Sequence, residues 1–495
     1  MQRLGPLLTV LWMLAAAGCA GTAHAGRDPG RAAYGAYLKG LMHERSARLP
    51  DALNAYRLAL EHDHRSPQLH VRLGSTYVKL GEMSRALTEF DRALAIDPKH
   101  SDALRWVAML HASQGQLEEA IAAYERLLPV TPDDQFVLST LADLYVLQGQ
   151  LPKAIKLYQA LVRETGSTHQ LHFNLGVLQG RLGRFSDAIS ELSRSLELAP
   201  DSLEARIALG LTYELSGRFN TAAAHYDEAI RLEPLNPRLY HHAARAASSA
   251  RRFEAAGAYY EAALDLGPHD LEAIMGLARV RMAQNRYNDA ARLIAQKLEE
   301  LHHAPELYVA LGVIYREASQ AQEAMRAFER AVTVKDDYAQ GHFYLGAQLD
   351  QLGRKDDARA SLRRTLELDP NHADAMNYLG YLDADAGVNL DTAKRLIERA
   401  VELDPDNGAY VDSLGWVYYR LGRLDEAIAH LERAAVLLGT DPIIHVHLGE
   451  AYLKRRDLDK ARRAWQRALE LDPGRREAQE NLERNTPHEA TATTP

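Results

Sequence analysis

The 495-residue sequence predicts an all-α solenoid of about thirteen helix-turn-helix repeats. Three observations predict it. One residue pattern recurs at a period of about 34 residues, the apolar residues inside each period follow helical spacing in two runs, and a small turn residue divides the runs.

The first residues read as a targeting signal. Arg3 gives a positive start, and Leu4 to Ala17 form an apolar run too short to span a bilayer but suited to the core of a signal peptide. Two processing sites compete after it. Ala16-Ala17-Gly18-Cys19 resembles the lipobox of bacterial lipoproteins, in which the cysteine is acylated. Ala23-His24-Ala25 is an A-x-A site for release of a soluble protein. Cys19 is the only cysteine, which favours its use as the lipid anchor and excludes a disulfide within one chain. By the same resemblance, Ala20 after the cysteine implies sorting to the outer membrane. Residues 20–32 are rich in Gly, Ala and Pro and read as a flexible tether.

Residues 67–100 give the repeat template. Leu73-Gly74 is followed by Tyr77, Gly81, Ala86, Phe90, Ala93 and Pro98. The same types return as Ala108, Gly115, Ala120, Tyr124 and Pro132, and again as Leu209-Gly210, Tyr213, Gly217, Ala222, Tyr226, Ala229 and Pro234. They close the series as Leu414-Gly415, Tyr418, Gly422 and Ala427, then Leu448-Gly449, Tyr452, Ala461, Trp465, Ala468 and Pro473. Gly81 or Gly217 supplies the positive φ that ends a first helix. Gly74 and Ala86 let the paired helices approach, so a bulky substitution there costs ~1–3 kcal/mol by overpacking. The prolines of Ile96-Asp97-Pro98 and Leu368-Asp369-Pro370 end second helices.

These residues resemble the tetratricopeptide-repeat (TPR) signature over residues 33–475. The resemblance implies a right-handed superhelical solenoid, with units beginning near 33, 67, 101, 135, 169, 203, 237, 271, 305, 339, 373, 408 and 442. The first unit keeps only Gly40, Ala52, Tyr56 and Ala59, as a capping repeat does. The unit at 373 carries an extra residue around Ala386-Gly387-Val388. The unit at 271 has Asn285 and His302 in place of its turn Gly and terminal Pro, which predicts an irregularity near residue 300. Residues 476–485 read as a final capping helix and 486–495 as a disordered tail.

With the repeats claiming the chain, no phosphate loop or nucleophile elbow remains, and no enzyme is expected. Cofactors and metals are not expected either. His62-Asp63-His64, His241-His242, His302-His303 and His445-Val446-His447 lack the three or four converging ligands that a metal needs. His70, His172, His342 and His445 share the fourth repeat position and read as half-buried contacts between paired helices. The net charge of -9 is spread along the chain, which argues against a nucleic-acid partner. The basic run Lys454-Arg455-Arg456, with Arg462, Arg463, Arg475 and Arg476, reads as a solvated terminal face, the alternative being a contact with anionic lipid or cell-wall polymer.

In the TPR family the first helix of each unit lines a concave groove through positions two, five, six, nine, twelve and thirteen. Carried onto this sequence, those positions turn aromatic toward the C-terminus: Phe343 and Tyr344, then Asn377, Tyr378 and Tyr381, then Asp412, Ser413, Trp416, Tyr419 and Arg420. Tyr, Trp and Arg concentrate binding energy at interfaces. These ten residues are the expected partner-binding surface, the alternative being that the rings only pack on neighbouring helices. A secondary basic patch is expected at Arg238, His241, His242, Arg245 and Arg279.

The stretches Asn377–Tyr381 and Tyr410–Arg420 resemble one group of outer-membrane TPR lipoproteins. Some members of that group are adaptors that present cell-wall hydrolases to a periplasmic carboxy-terminal processing protease. The resemblance implies a non-catalytic scaffold on the periplasmic face of the outer membrane, joined to it by the N-terminal lipid alone. Its implied partners are a processing protease and peptidoglycan hydrolases. A scaffold for exopolysaccharide export or for pilus and secretion assembly is the alternative function, and a soluble periplasmic or secreted protein the alternative location. A regulatory half of an enzyme, such as a glycosyltransferase, would need a catalytic domain for which residues 476–495 are too few.

Overall fold

The computed structural model describes residues 29–485. The signal segment with Cys19, most of the tether and the tail at 486–495 lie outside the described residues. The described residues are helices joined by short turns, with no strand among them. They form two compact units that part between Ser216 and Gly217.

In the first unit the helices pair in chain order: α1 (Pro29–Arg45) with α2 (Leu49–His62), α3 (Pro67–Lys79) with α4 (Met83–Ile96), and α5 (Ser101–Ser113) with α6 (Leu117–Leu127). Then come α7 (Gln135–Leu147) with α8 (Leu151–Thr165), α9 (His169–Arg181) with α10 (Phe185–Leu198), and α11 (Leu203–Leu215).

The second unit opens with α12 (Phe219–Leu232), followed by α13 (Pro237–Ser249) with α14 (Phe253–Leu266), α15 (Leu271–Ala283) with α16 (Tyr287–Glu300), and α17 (Pro305–Glu317) with α18 (Ala321–Val334). It continues with α19 (Ala339–Gln351) and α20 (Lys355–Leu368), α21 (Ala373–Ala386) and α22 (Leu390–Leu403), and α23 (Gly408–Arg420) and α24 (Leu424–Leu437). It closes on α25 (Pro442–Lys454), α26 (Leu458–Leu471) and α27 (Arg476–Asn485).

Helix α1 begins at Pro29, four residues before the unit start expected at 33, so residues 29–32 of the expected tether are helical. Ala33 and Ala36 are buried in α1, which packs on α2. Arg31 and Ala32 are good helix formers, so the helix propagates back at little cost.

Each unit is held by the same small-against-large contact. Gly74 lies so close to Phe90 that a Cβ would sit 2.5 Å from the ring, and at Gly449 a Cβ would sit 2.3 Å from the Trp465 indole. Phe90, Tyr124, Tyr226, Phe328 and Trp465 fill this place in their units and are fully buried. Ala86, Ala120, Ala154 and Ala188 in the first unit, and Ala222, Ala256, Ala324 and Ala461 in the second, have no exposed surface. The core is therefore a ladder of repeated contacts, as expected for repeats whose neighbours supply each other's apolar cover.

The irregularity expected near 300 is absent from the helix register. Asn285 takes the left-handed turn conformation itself, at φ 59°, and Pro305 opens α17. Asn enters this region at low cost. Arg251, Ser319 and Arg456 occupy the equivalent turns at φ 58°, 60° and 68° without that advantage. The extra residue of the unit at 373 does change the backbone: Gly387 and Asn389 are both left-handed, at φ 72° and 51°. The carboxylate of Asp383, 3% exposed, fixes this turn by accepting from Arg359 Nε at 2.8 Å and from Asn389 Nδ2 at 3.2 Å.

Candidate functional site

The residues expected to bind a partner come together on the first helices of the second unit. On α19, Phe343 and Tyr344 are half-buried and meet edge to face at 5.6 Å. Tyr344 stacks on Phe328 of α18 at 5.6 Å, and the Arg316 guanidinium of α17 lies 5.7 Å from its ring. Phe343 meets Tyr378 of α21 edge-on at 6.5 Å, and the Tyr378 hydroxyl donates back to Asp350 of α19 at 3.0 Å. The rings thus form a row that crosses from one first helix to the next.

Helix α23 departs from the expected exposed face. Asp412, Ser413 and Trp416 are all buried, Trp416 being only 6% exposed. Helix α21 is one residue longer than the other first helices of this unit, and α23 settles directly on it, where the Tyr410 hydroxyl donates to Asp374 at 2.5 Å and Arg420 Nη1 donates to the Asp385 carbonyl at 2.5 Å. On its other side, His447 of α25 stacks on the Trp416 indole at 4.2 Å and hydrogen-bonds Asp412 at 3.0 Å. Trp416 also stacks on Tyr419 at 4.8 Å. For these three residues the packing alternative holds. Tyr378, Tyr381, Tyr419 and Arg420 remain half-buried and reachable.

The same surface is acidic around its rings. Burial, reinforced by Asp385, Asp412, Glu477 and Asp350, raises the Tyr381 hydroxyl well above the ordinary tyrosine range, so it stays a neutral donor. Burial also raises Glu450 of α25, with help from Glu477, while His447 and a hydrogen bond from Tyr419 pull it back down. His447 is depressed by burial, but the charge and hydrogen bond of Asp412, with Glu450 and Asp385, together outweigh that and raise it. Lys454 Nζ lies 4.3 Å from the Tyr419 ring centre. Carboxylates set among ring faces suit a polypeptide segment carrying cationic or amide donors.

The groove positions carried onto the sequence stop one helix short of His447, Glu450 and Lys454, of which His447 and Lys454 stood out only in a histidine cluster and a basic run. They stand at positions six, nine and thirteen of α25, so the position rule carried one unit further finds them. Glu477 lies on α27, beyond the repeats, where no such register points to it.

The secondary basic patch divides. Arg238, Arg245 and Arg279 are exposed. His241 is buried, with Nε2 2.7 Å from Asp270, the residue whose other oxygen caps α15 through Glu272 and Ala273. His242 stacks on Tyr226 at 5.2 Å. His241 therefore pins two repeats together rather than facing a partner.

The histidines at position four join paired helices or their turns. His70 meets Glu89 at 2.7 Å and His172 meets Glu191 at 2.6 Å, while His342 and His445 reach the carbonyls of Asp336 and Gly439 at 2.9 and 3.1 Å. Among the described residues no three His, Cys, Asp or Glu side chains gather as metal ligands do, and no helix is long and apolar enough to cross a membrane.

Family models described as tetratricopeptide repeat match residues 71–135, 139–202, 173–237 and 207–270, 247–312, 305–338, and 339–372 and 442–475. A TPR-repeat model matches 415–455. The chain is a tetratricopeptide-repeat protein, of a fold that generally serves as a non-catalytic scaffold for protein interactions. No curated protein matches it. Similar solved structures include the APC/C hetero-tetramer Cut9–Hcn1 (15% identity, 92% of this chain and 96% of that one, TM-score 0.45). Yeast Tom70 is similar at 16% identity over 92% and 94% of the two chains, with TM-score 0.40. The MamA protein shares 23% identity over 34% of this chain and 91% of its own, with TM-score 0.32. The family assignment rests on the repeat models.

Proposed function

We propose that this scaffold is tethered through an acylated Cys19 to the periplasmic face of the outer membrane and holds protein partners on the aromatic face of α19, α21, α23 and α25. Its partners in this reading are a carboxy-terminal processing protease and the cell-wall hydrolases presented to it. The observation that carries the docking surface is the row of reachable rings, Tyr344, Phe343, Tyr378, Tyr381 and Tyr419, backed by the buried Trp416–His447 stack. The tether and the named partners are supported by the lipobox-like run at Cys19 and by the family resemblance of the Tyr410–Arg420 stretch.

Two proteins held on one tethered surface meet at high effective concentration, which raises proteolysis without any chemistry from the scaffold. The test is affinity capture from detergent-solubilised envelope, with mass spectrometry of the bait's N-terminus and of the captured proteins. A diacylglyceryl Cys19 and a protease with murein hydrolases support the proposal. An N-terminus at Gly26, with export or pilus components captured, removes it.

A further inference from the structure

We infer that α1 is a membrane-docking helix, whose outer face lies on an anionic phospholipid surface. The exposed face of α1 is formed by Arg31, Tyr34, Leu38, Lys39, Met42 and Arg45. Tyr34, Leu38 and Met42 follow one another at helical spacing and are 62%, 41% and 67% exposed, so they form an uncovered apolar stripe. Arg31, Lys39 and Arg45 flank that stripe, and none makes an ion pair among the described residues. The one acid of the helix, Glu44, is turned inward, where it binds Lys79 at 2.5 Å and accepts from Tyr56 at 2.6 Å. The outer face therefore carries positive charge and apolar surface with no negative charge.

That combination is what holds an amphipathic helix in the headgroup layer: apolar side chains enter the acyl boundary while Lys and Arg meet anionic lipid. A second copy of the chain is a poorer occupant. A two-fold contact would set the same face against itself and bring the three cations against their own copies. Position adds to the argument. Nine residues, 20–28, separate Cys19 from α1, and even fully extended the link spans no more than about 36 Å. An anchor at Cys19 thus keeps α1 within reach of the bilayer. The inference rests on the tethered reading for this placement only, and the mass of the N-terminus tests that reading separately.

The experiment floats the full chain, carrying Cys19→Ser so that no acyl chain contributes, with phosphatidylethanolamine vesicles with and without phosphatidylglycerol. The apolar run at 4–17 is common to every form compared. Reversing Arg31, Lys39 and Arg45 to Glu is expected to lower binding to phosphatidylglycerol vesicles by on the order of a hundredfold. The change is expected to leave the uncharged vesicles much less affected, and high salt should remove most of the difference. Tyr34→Ser, Leu38→Ser and Met42→Ser together should weaken binding to both. All six side chains are on the surface, and circular dichroism checks that each variant keeps its helices. Equal flotation of parent and variants overturns the inference, as does a loss of self-association with flotation unchanged.

Discussion

His447 Nδ1 lies 3.0 Å from Oδ2 of Asp412, and the two side chains belong to the first helices of successive repeats. Both are buried, and the Trp416 indole stacks on the imidazole at 4.2 Å. The pair is therefore a buried polar link inside the surface on which Tyr381 and Tyr419 are displayed.

The link predicts a pH dependence. His447 titrates above its unfolded value of about 6.5, so its stabilising contribution is complete below that pH and is lost as pH rises through the higher folded value. Hydrogen exchange of α23 and α25, compared between the parent and His447→Gln, should differ most in mildly acid solution, and the difference should shrink as pH rises through the folded value. A difference that does not change with pH would contradict the assignment.

Trp416→Ala should act on folding before binding. Removing a buried indole opens a cavity worth about 3–5 kcal/mol, and it leaves His447 and Tyr419 without their stacking partner. Local unfolding of α21–α25, read by exchange or limited proteolysis, is the expected result. The reachable rings are the better probes of a docking surface.

The close contact at Gly449 predicts that Gly449→Ala destabilises by ~1–3 kcal/mol, because the new Cβ would sit 2.3 Å from the Trp465 indole. Chemical denaturation followed through tryptophan fluorescence measures it.

Ser319→Gly should stabilise by about 0.5–1 kcal/mol. A left-handed conformation costs a non-glycine residue ~1–2 kcal/mol, and part of that gain is returned as chain entropy. Asn285→Gly, at an equally left-handed turn, should change little because Asn tolerates the region. Thermal melts of both variants check the pair.

Most of the repeat architecture was legible because its contacts are local and periodic. Gly74 against Phe90 and Gly449 against Trp465 are the same contact in two units, so a residue type at a fixed spacing reports it directly. The burial of Trp416 was not legible in this way. It goes with the added residue that lengthens α21, some thirty positions earlier, and with His447 in the following repeat. A position rule assumes identical packing between units, and it fails where one first helix is longer. Asn285 shows the converse: a missing glycine suggested a break, but Asn supplies the same φ and the register continues.

The most direct test of the docking surface is affinity capture from solubilised envelope with the full chain and with Tyr344→Ala/Tyr381→Ala/Tyr419→Ala. These three side chains are half-buried rather than core, and circular dichroism checks that the variant keeps its helices. The proposal predicts that the parent retains a processing protease together with cell-wall hydrolases, and that the folded variant loses them. Full retention of the same partners by the variant would contradict it.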